Sequence, residues 1–282
     1  MVARDATYQC WEEETIPIFH PAAEPLTLVI GTGLHTGIKR KNKPNEDGLL
    51  VYQSTLTCDS ESSLRGLLVV ADGMGGHANG WDGSHMALQA IRDAIIPVLA
   101  DGREIDQGSL VILLAEGVQQ ANTAIYQYNQ VNRLDTGTTM TAALIIGTTA
   151  IVANVGDSRT YLFRERSGLR PLTRDHSTVA LLVATGQIAP EEVYTHPQRN
   201  EIYRCLGDTA RAEVDVFTLA IEQGMTLLLC SDGLWEMVRD AQIERSLRAT
   251  LPDAAHAAQL LVQTALYGGG LDNISVIVAH IP

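Results

Sequence analysis

Long apolar runs are missing from this chain, and no stretch reaches the roughly 18 apolar residues of a membrane span. Cysteine is sparse: Cys10, Cys58, Cys205 and Cys230 stand apart without C-x-x-C spacing, which argues against both a thiolate zinc site and a redox pair and suits a reducing compartment. Positive charge is short as well. With 20 Lys and Arg against 33 Asp and Glu, the formal charge of −13 argues against nucleic acid or anionic membrane as a partner. Aromatic residues make up 5%, so Ala, Leu, Val and Gly must do the packing, for which an apolar share of 45% suffices. No linker divides the middle of the chain and no fixed-period repeat is visible, so residues 26–282 read as one domain. Residues 1–25, with Glu12-Glu13-Glu14 and three prolines, lack the basic start and apolar core of a signal peptide and read as a loosely held extension. A cytoplasmic monomer is the expectation.

What is present is one construction, repeated. An apolar strand runs into an aspartate beside glycine or asparagine at Asp72-Gly73, at Gly156-Asp157 and at Asp232-Gly233, and Asp272-Asn273 precedes another apolar run. One such turn is ordinary, whereas four suggest a site. Two carboxylates about 4 Å apart repel by roughly 4 kcal/mol in a protein-like dielectric, so a cluster of them needs cations. Oxygen donors without a cysteine or histidine ligand pattern point to Mg²⁺ or Mn²⁺. His77 follows the first turn. Arg40, Lys41 and Lys43 precede Asn45-Glu46-Asp47, which brings cations and carboxylates within one reach, as a metal-bound phosphate requires. No G-x-S-x-G elbow supports a Ser/His/Asp hydrolase.

Periodicity orders the elements. A strand is expected at 26–31, a turn at 33–37, a polar loop at 53–65 and a helix at 85–99. A second helix is expected to be capped by Ser109. Strands at 139–146, 149–155 and 160–163 read as three neighbours in one antiparallel sheet. A short helix at 178–185 opens a polar flap reaching Asn200. Strands at 201–206, 214–219 and 226–230, helices at 241–249 and 253–267, and a last strand from Ile274 complete the chain. This order fits sheets covered by helix pairs rather than alternating βαβ units.

Asn45-Glu46-Asp47, Asp72-Gly73-Met74-Gly75-Gly76-His77, Thr136-Gly137-Thr138-Thr139, Gly156-Asp157-Ser158-Arg159, Ser231-Asp232-Gly233-Leu234 and Asp272-Asn273 occur in the order of the metal-dependent serine/threonine protein phosphatases of type 2C. The chain resembles that family from about residue 28 to 280. The flap-flanking stretches Leu172 to Ser177 and His196 to Asn200 are similar to its bacterial branch. The resemblance implies an α+β fold, a four-layer αββα sandwich of two packed antiparallel sheets flanked by helix pairs. It further implies a two-metal centre of Mn²⁺ or Mg²⁺ held by Asp72, the Gly73 carbonyl, Asp232 and Asp272, with Asp47 acting through bound water. Asp157 would share a third ion with Asp232, and Glu236 stands where some relatives have a further acidic ligand. His77 would be the general acid. Relatives usually bind phosphate with an arginine five residues before the aspartate matched by Asp47; here that position is Asn42, and Arg40 is the first choice instead, with Lys43 second. Phosphorylated proteins are the implied substrates and a serine/threonine kinase the implied opponent. Dephosphorylation of a sigma-factor regulator and a silent binding module of the same fold are the alternatives.

Overall fold

The computed structural model describes residues 26–58, 61–75, 80–101 and 105–282. In chain order come β1 (Val29–His35) and the long pair β2 (Asp47–Cys58) and β3 (Glu61–Met74), then helices α1 (Gly80–Ala100) and α2 (Gln107–Asn132). They are followed by β4 (Gly137–Thr138), β5 (Met140–Ile146), β6 (Thr149–Val155), β7 (Arg159–Arg164) and β8 (Gly168–Pro171). The flap holds α3 (Thr178–Ala184) and a 3-10 turn at Pro190–Tyr194. Then come β9 (Asp215–Ala220), β10 (Met225–Cys230), α4 (Asp232–Trp235), α5 (Asp240–Thr250), α6 (Ala254–Tyr267) and β11 (Ile274–His280).

Two antiparallel sheets result, one ordered β1-β11-β10-β7-β8 and the other β2-β3-β5-β6-β9, with β4 attached to β3. Successive strand side chains point to opposite faces, so a strand covered on both sides is apolar throughout rather than alternating. In β3, Leu67 and Val69 pack with Ile91, Ile95, Leu114 and Ile125 of α1 and α2. Their neighbours Leu68 and Val70 face the other way, into a core shared with Leu227, Leu229 and Ile277 of the second sheet. Leu228 and Val276 face outward to Leu261 and Trp235. Helices, sheet, sheet and helices therefore form the four expected layers, and each buried Leu or Val contributes about 1.5–3 kcal/mol.

Several expectations need correction. The segment expected as a loop at 53–65 belongs largely to β2 and β3, where Gln53 pairs with Gly66 and Thr57 with Ser62. Its polar residues alternate with half-buried ones, and the ladder is satisfied by backbone groups whatever the side chains are. β1 runs on to His35 because that residue is still paired with Ile274. The strand expected at 201–206 makes only isolated bridges, Ser177 with Ile202 and Thr138 with Leu206. Asp106, not Ser109, caps α2, accepting the Ser109 N–H at 3.0 Å. Finally, β5, β6 and β7 are not three neighbours in one sheet. Gly156, at φ 99°, turns the chain out of β6 into the opposite sheet, where β7 pairs with β10. That crossing carries Asp157.

Candidate metal centre

The β2–β3 register sets Asp47 opposite Asp72. Asp47 Oδ2 accepts the hydroxyls of Ser231 at 2.8 Å and Ser275 at 2.6 Å, both from the other sheet. Asp47 therefore stitches the two sheets together at this end, while its Oδ1 is buried without a hydrogen-bond partner. The backbone carbonyl of Asp72 accepts from Thr139 N and Thr138 Oγ1, each at 2.9 Å, which fixes where its side chain starts. Next to it, Gly73 donates its N–H to the Glu46 carbonyl at 3.1 Å, and a Cβ here would lie 2.0 Å from the Gly80 carbonyl oxygen. Only glycine fits that approach.

The other aspartates arrive from the second sheet and the crossing. Asp157 has its carbonyl held by Trp235 Nε1 at 3.0 Å. Asp232 opens α4, and its Oδ1 is also buried without a partner. Glu236 donates its N–H to the Asp232 carbonyl at 2.9 Å, one turn further on. Asp272 accepts its neighbour's N–H, Asn273 N, at 2.7 Å. Asn273 in turn clamps the loop before β2 at both ends, accepting Glu46 N at 2.8 Å and donating to the Thr36 carbonyl at 3.0 Å.

Arg40 reaches this centre and pairs with both Glu46 and Asp272. Residues 38–43 form turns, with Lys43 N donating to the Arg40 carbonyl at 2.8 Å and Ile38 N to the Gly270 carbonyl at 2.8 Å. The turn aims Arg40 inward and leaves Lys41, Asn42 and Lys43 exposed. His77 lies outside the described residues.

The electrostatics report the clustering. Burial pushes Asp47 up to about 6 from 3.8, against the opposing hydroxyls of Ser275 and Ser231 and with the help of the Asp272 charge. Asp72 is raised well above its ordinary value by burial and then by the charges of Asp47, Asp232, Asp157 and Asp272. Burial and Asp175 push Asp157 to about 7, although Arg159 opposes. Burial, Asp157, Asp272 and Glu236 raise Asp232. Asp72 and Asp232 keep part of their surface open to water, which moderates that rise. Among the described residues no three His, Cys, Asp or Glu side chains stand at ligating spacing. The fit to divalent cations therefore rests on the donors: all oxygen, two of them buried without partners, on carboxylates whose mutual repulsion a 2+ charge would reverse.

Sequence reasoning missed the hydroxyls of Ser231 and Ser275 and the double clamp of Asn273. Their positions inside or beside the Ser231-Asp232-Gly233 and Asp272-Asn273 motifs were the available signal. Also unforeseen was the pair Arg159–Asp175, with an Nη2···Oδ2 distance of 2.7 Å, which joins the Asp157 turn to the base of the flap. Arg159 stacks on the Trp235 ring, its guanidinium carbon 3.7 Å from the ring centre.

Solved structures with this fold define its class. The crystal structure of the Mycobacterium tuberculosis serine/threonine phosphatase PstP/Ppp superposes with a TM-score of 0.76 at 35% identity, covering 90% of this chain and 98% of that one. The catalytic domain of PstP in complex with two manganese ions gives 0.75 at 33% identity, covering 91% and 99%. In sequence, the serine/threonine phosphatase stp of Listeria innocua is 37% identical over 218 residues, 76% of this chain and 84% of that protein. The class is therefore that of protein serine/threonine phosphatases. A family model described as Protein phosphatase 2C matches residues 36–266, and the chain belongs to that family.

Proposed function

We propose that residues 26–282 form a single phosphatase domain that removes phosphate from phosphoserine and phosphothreonine in proteins, using Mn²⁺ or Mg²⁺, as the catalytic domain of PstP is found in complex with two manganese ions. Asp72, the Gly73 carbonyl, Asp232 and Asp272 would hold two ions, with Asp47 supporting them through water and Asp157 joining Asp232 at a third. Bound there, the ions supply an activated water and neutralise phosphate charge. The protein's own residues do the rest. Ser231 and Ser275 hold Asp47 by one oxygen and leave the other free to face the centre. Arg40, released from Glu46 and Asp272, offers a planar fork to two phosphate oxygens. His77, five residues after Asp72, protonates the departing serine or threonine oxygen. The opponent is a serine/threonine kinase, the compartment the cytoplasm and the working form a monomer. Among the described residues no helix is long and apolar enough to cross a membrane.

The observation that carries this reading is the register that sets Asp47 opposite Asp72, with buried, unpartnered carboxylate oxygens on Asp47 and Asp232 and with Asp157 and Asp272 near enough to act on Asp72. The relatives' names favour the broad protein phosphatase over a sigma-factor-regulator specialist or a silent module. Phosphate release from a phosphothreonine peptide in Mn²⁺ tests it: the wild type should turn over, and folded Asp72→Asn should lose at least roughly a hundredfold in kcat. A wild-type protein inert on such peptides defeats the reading.

A further inference from the structure

We propose that the cleft beside Asp47, between β2 and α1, receives an apolar side chain of the substrate next to the phosphorylated residue, with Trp81 and His85 as its docking ledge. This rests on the phosphatase reading above. The cleft holds about 560 Å³ and is lined by Asp47 itself together with Leu34, Leu50, Trp81, His85 and Leu88. Trp81 is 47% exposed and Leu34 50%. The Trp81 and His85 rings stack with centroids 4.0 Å apart at 25°, and His85 Nδ1 donates to the Trp81 carbonyl at 2.9 Å. Stack and hydrogen bond fix both rings one helical turn apart and leave Trp81 half open to solvent. Large apolar groups grouped at one concave place mark an interaction site, and a rigid aromatic gives contact area at low conformational cost.

The occupant follows from continuity with the centre. An extended chain advances about 3.3 Å per residue, so a phosphoresidue seated at the aspartates carries its first and second neighbours to within roughly 7 Å of them. The cleft begins at Asp47, which borders the centre, and runs from there along β2 and α1. Its lining is mixed, with Asn45, Gln89 and Arg92 beside the apolar groups, and the part formed by Leu34, Leu50, Trp81 and Leu88 takes an aromatic or aliphatic neighbour. The cavity under the flap is similar in size, about 500 Å³, but its buried cation Arg159 is already engaged by Asp175.

The test uses phosphothreonine peptides that differ only in carrying Phe or Ala at one of the two positions on either side of the phosphoresidue. In Mn²⁺ the wild type should favour Phe at one position by about tenfold in kcat/KM. Trp81→Ala should bring that ratio close to one, and Trp81→Phe should restore most of it. A wild type without preference at any position overturns the ledge and needs no variant to do so; a preference that survives in folded Trp81→Ala overturns it equally. If neither Phe nor Ala peptides are hydrolysed, the phosphatase reading falls and the ledge with it, whereas equal hydrolysis of both defeats the ledge alone.

Discussion

Asp47 and Asp72 face each other across the antiparallel pair of β2 and β3, and Asp47 is tied to the second sheet by Ser231 and Ser275. The place where the sheets are joined is thus also where their carboxylates repel. Without metal, Asp47 titrates near 6 and Asp157 near 7, both raised from 3.8. The folded state then binds more protons than the unfolded state between about 4 and 7, so stability of the metal-free protein falls as pH rises through that window. Mn²⁺ binds the deprotonated groups, so its stabilisation runs the other way. Thermal unfolding with and without Mn²⁺ should give a larger gain in Tm at about pH 8 than at about pH 5.5; equal gains at the two values contradict this.

Asp232 has an unpartnered oxygen and feels Asp157, Asp272 and Glu236 together, whereas Asp157 sits toward the flap beside Arg159 and Asp175. Asp232→Asn should therefore cost roughly a hundredfold or more in kcat/KM and weaken Mn²⁺ binding, and Asp157→Asn only about tenfold. Mn²⁺ titration of both variants checks the ranking, and equal affinity for the central pair in wild type and Asp232→Asn refutes it.

Arg40→Ala should raise KM for a phosphopeptide about tenfold, near 1.4 kcal/mol. Because Arg40 pairs with Asp272, the same change should tighten Mn²⁺ binding severalfold by removing a competing cation. Lys43 is exposed, and Lys43→Ala should do little. The opposite pattern, with Lys43→Ala raising KM and Arg40→Ala neutral, places the phosphate anchor at Lys43.

How far the chain could be read in advance depended on how local each cause was. The apolar runs of β3, β10 and β11, and the aspartates ending or flanking them, were legible because burial on both faces leaves no polar alternation. The crossing at Gly156 was not: a Gly-Asp-Ser turn reads as a hairpin whether the next strand pairs with its predecessor or with the opposite sheet. The extension of β2 and β3 over residues 53–58 and 61–65 was hidden by polar side chains that the backbone ladder ignores. The inward aim of Arg40 comes from the turn at residues 38–43, and that turn depends on the distant Gly270 carbonyl. The hydroxyls of Ser231 and Ser275 converge on Asp47 only through the packing of one sheet on the other, which no spacing along the chain encodes.

His77→Ala should keep Mn²⁺ binding yet lose rate, and the loss should depend on the leaving group. A serine or threonine alkoxide needs a proton, whereas p-nitrophenolate departs with little help, so the drop should be about tenfold or more greater on a phosphopeptide than on p-nitrophenyl phosphate. Equal losses on both substrates would assign His77 to positioning.

The central claim is that clustered aspartates bind divalent cations which the hydrolysis requires. Exhaustive chelation followed by stepwise return of Mn²⁺, with phosphate release from a phosphothreonine peptide and bound metal read on the same samples, tests it most directly. Hydrolysis should vanish on chelation and return as the central pair of sites fills. Turnover that survives in protein shown to be free of metal contradicts the account.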